Sequence, residues 1–272
     1  MTRIAVIGGG RIGEALVAGL LESGRVAKDL VVVETHQDRA ELIAERFGVR
    51  VTGSIEDASV GADVLVIAVK PADVDGVLTA LGKAMLGGDG DQVVVSLAAG
   101  VPTPRLEAKL PAGSPVVRVM PNTPMLVGQG MSALAPGRHA KAEDLALVTG
   151  LLGAVGKVVT VAEAQMDAVT AVSGSGPAYF FLVVEAMVDA GVSLGLTRDV
   201  ATTLVVQTML GAAALLEGAE QSAVDLRAAV TSPAGTTAAA LRELERSGVR
   251  SAFLEALHAA ARRSAEQGSS AE

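Results

Sequence analysis

The sequence predicts a doubly wound α/β domain with a mostly parallel sheet, followed by an all-α C-terminal domain. Three observations carry this: short apolar runs alternate with helix-periodic segments as far as residue 161, the first run ends in a glycine cluster, and the strand signal fades past residue 162. Ile4–Ile7 is the first strand, and residues 12–21 have the apolar spacing of a helix packed on one side. Leu30–Val33 reads as a second strand, residues 39–47 as a helix stopped by Gly48, residues 49–51 as a short third strand, and residues 63–69 as a strongly apolar fourth. Residues 92–97 supply a fifth strand and Val116–Met120 a sixth. After a turn-rich segment over 121–130 and a helix over 143–152, residues 157–161 close the series. Such alternation calls for right-handed crossovers and helices on both faces of the sheet.

The remainder reads as helices punctuated by residues 173–177, 191–197, Gly218 and 231–235. Residues 180–184 and 204–216 leave few polar faces. A helix apolar nearly all round wants cover on more than one side, so an obligate oligomer is expected. The tail from Arg262 loses its apolar periodicity and is expected to fray.

Composition narrows the chemistry. The 272 residues suffice for one large or two modest domains, and with 2% aromatic content the core must be built from Ala, Val, Leu and Gly. The net charge of -8 argues against nucleic acid as a partner, because phosphate backbones require clustered positive charge. Having no cysteine, the chain has no disulfide framework, zinc-thiolate site or cysteine nucleophile. His36, His139 and His258 lack metal-ligand spacing, so no metal is expected. The sequence enters a strand at once, without the regions of a signal peptide, which predicts a cytoplasmic location. The longest uncharged stretches, 119–137 and 200–216, are broken by Pro, Gly, Gln and Thr and are expected to be buried segments, with no membrane partner.

Gly8, Gly9, Gly10, Arg11, Ile12 and Gly13 form a G-x-G-x-x-G pattern between a strand and a helix, the context that gives this pattern its meaning. Gly8 permits the tight turn, Gly10 lets the backbone approach a pyrophosphate, and Gly13 allows the helix to pack closely on the strand. The plain alternative is a ligand-free turn, but the position at the head of an α/β series favours a Rossmann-type dinucleotide-binding domain over residues 1–162. Glu34, 21 residues past Gly13 and followed by Thr35, sits where an acidic side chain can accept hydrogen bonds from the adenine ribose. That points to NADH. Arg11, His36 and Arg39 could instead meet the extra phosphate of NADPH, so both cofactors stay open. Ala68, Val69, Lys70 and Pro71 end the fourth strand on the edge where parallel sheets bind ligands, while Ala98 and Ala99 are small enough for a ring to lie beside the backbone. Both segments are equally readable as ordinary strand ends.

Residues 231–237, Thr-Ser-Pro-Ala-Gly-Thr-Thr, precede a helix over 238–247. Ser232 or Thr231 can cap it, Pro233 fits its first turn, and Gly235, Thr236 and Thr237 would present N–H groups at its positive end, a carboxylate site or a simple cap. Hydride transfer from a nicotinamide needs no strong protein nucleophile, which fits the scarcity of histidine and cysteine.

Gly8 to Gly13, Ala68 to Pro71, Arg118 to Pro124, Asp167 to Thr170, Ser173 to Tyr179 and Thr231 to Thr237, in this order, resemble pyrroline-5-carboxylate reductases, the likeness running from residue 4 to about 260. The resemblance implies reduction of the cyclic imine 1-pyrroline-5-carboxylate to L-proline with NADPH or NADH, the last step of proline biosynthesis. It implies a helical domain, residues 163–272, that binds substrate and interlocks two subunits, with dimers joined into decamers and the active site between domains at the dimer interface. By motif, Thr237 would hydrogen-bond the ring nitrogen as the catalytic residue, and backbone N–H groups of Gly235, Thr236 and Thr237 would hold the carboxylate. Glu163, Thr170 and Ser175 would lie near the substrate and Asn122 near the cofactor. Two positions depart from the family pattern: Glu34, and Ala234, where a second glycine is common and where an alanine is expected to tolerate a helical turn. The nearest rivals are a β-hydroxyacid dehydrogenase or imine reductase, which relies on a lysine in the first helix after the domain junction, and a dinucleotide-binding regulatory protein without turnover. No lysine falls in that helix here.

Overall fold

The computed structural model describes residues 2–86 and 92–269. Among these, β1 (Ile4–Ile7), β2 (Leu30–Val33), β3 (Arg50–Thr52), β4 (Val64–Ile67), β5 (Val93–Ser96), β6 (Val116–Met120), β7 (Gly130–Pro136) and β8 (Gly156–Thr160) form a sheet in the order β3-β2-β1-β4-β5-β6-β7-β8. Neighbours are parallel except β6 and β7. The order reverses beside β1, which is the switch point where open parallel sheets bind ligands. The register keeps the carboxyl ends flush: Ile7 stands opposite Val33 on one side and Ile67 on the other, and Ile67 opposite Ser96.

Both faces are covered, which explains the unbroken apolar runs of β1, β4 and β5. On one face Leu16 and Leu20 of α1 (Arg11–Glu22), Ile43 of α2 (Gln37–Phe47) and Leu151 of α6 (Ala142–Leu152) meet Ile4 and Val6. On the other, Ala58 of α3 (Ile55–Ser59), Leu78 and Leu81 of α4 (Val74–Leu86) and Leu106 of α5 (Thr103–Glu107) meet Ala5 and Ile7. Each fully buried leucine is worth about 2 kcal/mol.

Strand β7 corrects the sequence reading, which ran from turn to helix across it. Its central residues are Ser132, Ala133, Leu134 and Ala135, all buried, and alanine and serine carry little strand preference. The strand exists because β6 and β8 pair with it on both sides.

By contacts the chain divides into one unit of Met1–Ser175 with Ala260–Glu272, and another of Gly176–Ala259. In the first, α7 (Met166–Val169) runs into a π-helical turn, Thr170–Gly174, closed by the Ser175 N–H donating to Thr170 O at 2.8 Å. A Cβ on Gly174 would lie 2.3 Å from Met120 Cε, so the glycine lets this turn press against β6. The second unit holds α8 (Gly176–Ser193), α9 (Arg198–Gly218), α10 (Ala223–Ala229) and α11 (Thr236–Arg246). Helices α8 and α9 touch through small residues, with the Gly191 Cβ position 3.0 Å from Ala201 Cβ.

Two expectations fail here. The tail does not fray: α12 (Val249–Ser269) is continuous through residues 262–269, and Ser264 is buried, while residues 270–272 lie outside the described part. Residues 200–216 are not buried within the chain, since Ala201 is the buried residue of α9 while Leu204, Leu210 and Leu215 are each more than half exposed. The helix is apolar over most of its circumference, and within the chain burial is confined to the side that carries Ala201. By length and composition, Glu163–Ser193 and Arg198–Gly218 would also pass for membrane spans, with mean hydropathy of 1.4 and 1.5.

Candidate active site

The glycine loop at the end of β1 is shaped by contacts that exclude side chains. Gly8 has φ of 112°, and a Cβ there would stand 2.7 Å from the carbonyl oxygen of Ala68. A Cβ on Gly13 would stand 2.1 Å from Gly8 O, so α1 packs onto the loop only with glycine. Gly10 differs: it is exposed, and a Cβ on it would meet nothing within 4 Å. Gly10 is also the N-cap of α1 and no side chain caps the helix, so the first-turn N–H groups of Arg11, Ile12 and Gly13 are left without helix acceptors at a positive helix end. This cradle fits a pyrophosphate.

Glu34, just past β2, has a side chain only 9% exposed. Its Oε1 accepts from the His36 backbone N–H at 2.9 Å and lies 3.0 Å from His36 Nδ1, and its Oε2 is 2.9 Å from the Cβ position of Gly9. Burial works to raise its pKa, but hydrogen bonds from His36 and the Thr35 backbone, with the charge of His36, outweigh it and hold the carboxyl below the ordinary glutamate value. Thr35 is exposed. Arg39 donates through Nε to Gly9 O and through Nη2 to Glu14 at 2.7 Å.

At the neighbouring strand ends, the N–H of Ala68 donates to Ile7 O at 2.8 Å and that of Leu97 to Ile67 O at 2.9 Å. These bonds bring Gly8, Ala68, Val69 and the segment with Ala98 and Ala99 along one edge. Ala98 is buried, Ala99 and Lys70 are exposed, and exposed Pro71 opens a 3-10 turn.

Beyond the dinucleotide cradle, the first unit holds an ion pair that the sequence did not assign. Arg118 in β6 is 5% exposed and donates through Nη1 to Glu163 Oε1, which also accepts from the Thr103 N–H at 3.4 Å. The other oxygen, Oε2, is buried with no hydrogen-bond partner among the described residues. The available signal was an arginine inside the apolar run Val116–Met120. Asn122 is committed to the chain itself: its Oδ1 accepts from the Met131 N–H at 2.8 Å and its Nδ2 donates to Ser173 O at 3.3 Å. Thr170 donates its hydroxyl to Met166 O at 2.9 Å. Ser175 follows the π-helical turn and is half-buried.

In the second unit, the segment before α11 is not the capped start expected from the sequence. Thr231 donates its hydroxyl backward to Arg227 O at 2.6 Å, and the Gly235 N–H donates to Ser232 O at 3.1 Å, closing a turn with Pro233 and Ala234 at its centre. Ala234 has φ of 57°, the one non-glycine residue in the left-handed region among those described, so the expectation of a helical turn there is corrected. Proline followed by a positive φ is type II turn geometry. Gly235 is then the N-cap, a Cβ on it would lie 2.4 Å from Ser232 Oγ, and no side chain caps the helix. The N–H groups of Thr236 and Thr237 are left without helix acceptors. Thr236 is exposed and Thr237 half-buried.

Residues 163–267 match the family described as pyrroline-5-carboxylate reductase dimerisation, and residues 3–100 that described as NADP oxidoreductase coenzyme F420-dependent. A pyrroline-5-carboxylate reductase of Mycobacterium tuberculosis is 55% identical, over 97% of this chain and 96% of that protein. A solved pyrroline-5-carboxylate reductase from Coxiella burnetii superposes with a TM-score of 0.93 at 38% identity, covering 98% of both chains. The pyrroline carboxylate reductase of Plasmodium falciparum, solved with NADP bound, gives 0.85 at 28% identity over 98% of both. Since relatives at 38–55% identity cover nearly the whole chain and the dimerisation family model matches residues 163–267, the chain belongs to the pyrroline-5-carboxylate reductase family.

Proposed function

We propose that the chain reduces 1-pyrroline-5-carboxylate to L-proline with NADPH or NADH, the closing step of proline biosynthesis. The observation that carries this reading is the uncapped N-terminus of α11, where a glycine N-cap and two threonines stand in place of a capping side chain. The N–H groups of Thr236 and Thr237 are offered to the substrate carboxylate, and the helix dipole adds to their attraction, whereas the Gly235 N–H expected to join them is taken by Ser232 O. The Thr237 hydroxyl holds the ring nitrogen, aligning the imine carbon and stabilising the amine as it forms. Glu163, Thr170 and Ser175 complete the substrate surroundings.

A bound nicotinamide supplies the hydride, and the imine nitrogen takes a proton from solvent. Gly8, Gly9, Gly10, Arg11, Ile12 and Gly13 hold the pyrophosphate, Glu34 and Thr35 face the adenine ribose, Ala68, Val69, Lys70 and Pro71 flank the cofactor with Asn122, and Ala98 with Ala99 offers a flat edge to the ring. Positioning provides most of the acceleration in such a reaction. Two copies cover each other's exposed helices, such dimers assemble into a decamer, and the enzyme works in the cytoplasm without nucleic acid or membrane as partner. The missing lysine in α8 argues against the β-hydroxyacid dehydrogenase mechanism.

The test is oxidation of NADH and NADPH with 1-pyrroline-5-carboxylate, with proline identified as product and substrate-free buffer as control. Turnover with either supports the reading; none with both sinks it.

A further inference from the structure

We infer that Glu34 and Arg39 together make this enzyme selective for NADH, by presenting a carboxylate to the adenine ribose while withdrawing the arginine that a 2′-phosphate would need. The inference rests on the dinucleotide part of the proposed function and deepens it.

Glu34 is positioned for the ribose from three sides. The His36 backbone N–H and ring nitrogen fix Oε1, at 2.9 and 3.0 Å, and Oε2 rests beside Gly9, within the loop that cradles the pyrophosphate. A carboxylate accepts only, so it suits the two hydroxyls of an unmodified ribose and opposes a phosphate carrying nearly two negative charges.

Of Arg11, His36 and Arg39, the cations that could offset that repulsion, Arg39 is already engaged through two of its five N–H donors. Arg39 lies at the start of α2, where an arginine selecting NADPH would be sought. Its Nε donates to Gly9 O, its Nη2 to Glu14 at 2.7 Å, and its Nε is 3.9 Å from Glu34 Oε2. Glu14 also takes Arg46 on its other oxygen. Two carboxylates and two guanidiniums thus balance one another across α1 and α2, and Arg39 pins the carbonyl of the glycine loop. Turning the Nε and Nη2 of Arg39 toward a 2′-phosphate would break both bonds and release the loop. Arg39 is therefore a positioning residue for either dinucleotide, and Glu34 sets the choice between them.

The test is calorimetric binding of NADH and NADPH, and of ADP-ribose and its 2′-phosphate, to the full-length protein without imine. The expected result is that the forms lacking the 2′-phosphate bind at least about tenfold more tightly, in line with the cost of juxtaposing like charges. Glu34→Ser, and the isosteric Glu34→Gln in case the first disturbs folding, should narrow that ratio by about tenfold. Arg39→Met should weaken both cofactors by a similar factor and leave the ratio alone. Equal or tighter binding of NADPH by the unaltered protein, an unchanged ratio in both Glu34 variants, or loss of NADPH alone in Arg39→Met would each overturn the inference, as would binding of neither dinucleotide. A selective NADH complex that fails to reduce 1-pyrroline-5-carboxylate would leave the inference standing and remove the reductase reading.

Discussion

The hydroxyl of Ser264 donates a 2.7 Å hydrogen bond to Asp167 Oδ1, joining residues 97 apart in sequence. Ser264 is 4% exposed, and about one helical turn further along the chain Gly268 approaches Gly100, whose carbonyl oxygen lies 3.2 Å from the Cβ position of Gly268. The end of α12 is thereby fastened to the segment before the π-helical turn and to the loop after Ala98 and Ala99.

Replacing Ser264 with Ala removes the partner of a carboxylate. The expected loss is about 1–2 kcal/mol of stability, read from the urea midpoint, because hydrogen bonds to charged groups exceed neutral ones. An unchanged midpoint would mean that water replaces the hydroxyl without cost.

The two inner glycines of the nucleotide loop should fail in different ways. Gly13→Ala drives a Cβ against Gly8 O and should lower thermal stability, whereas Gly10→Val enters open space and should leave melting unchanged while abolishing dinucleotide binding. Melting curves with and without NADH separate the two outcomes.

Thr237→Ala should fold normally, since alanine is the better helix former, yet reduce kcat by roughly ten- to a hundredfold through loss of a hydrogen bond to the reacting nitrogen. Steady-state kinetics with a circular dichroism control decide the matter; unaltered turnover would take Thr237 out of the mechanism.

Ala234→Gly should stabilise the turn ahead of α11. A left-handed alanine costs about 1 kcal/mol, part of which glycine returns by freeing the unfolded chain, leaving a gain of roughly 0.5 kcal/mol. Denaturant titration reads the gain, and a loss would mean that the turn is held by more than its backbone preference.

Glu34 ties stability to acidity. Its pKa is lower in the folded chain, so its contribution is complete above the ordinary glutamate value near 4.3 and is lost as pH falls through the lower folded value. The stability difference between the unaltered protein and Glu34→Gln should hold constant at neutral pH and shrink below about pH 4.3. A difference that grows on acidification would reverse the sign of this linkage.

Much of the nucleotide half was legible because local rules and tertiary demands agree there. The run Ile4–Ile7, the glycines and the amphipathic helix each point to the same strand-turn-helix unit. Strand β7 was hidden because Ser132, Ala133 and Ala135 extend only through pairing on both sides. The Arg118–Glu163 pair and the Ser264–Asp167 bond were hidden because partners 45 and 97 residues apart leave no periodic trace. At Ala234 the residue type argued for helix, while the Ser232–Gly235 turn imposed a left-handed backbone. Spacing offered Arg39 for a phosphate, while its bonds to Gly9 and Glu14 follow from how α1 and α2 approach.

The naked sides of α8 and α9, with Phe180, Phe181 and Leu182 each more than 60% exposed, would give the chain a dilution threshold under the proposed pairing of two copies. Where apolar surface of this kind is covered by a second copy, as proposed above, a chain has no melting temperature of its own, and its unfolding midpoint climbs with protomer concentration as mass action dictates. Expression level then becomes part of the enzyme's stability, and a substitution at Phe181 would register first in how much protein a cell retains and only afterwards in how fast each surviving molecule turns over.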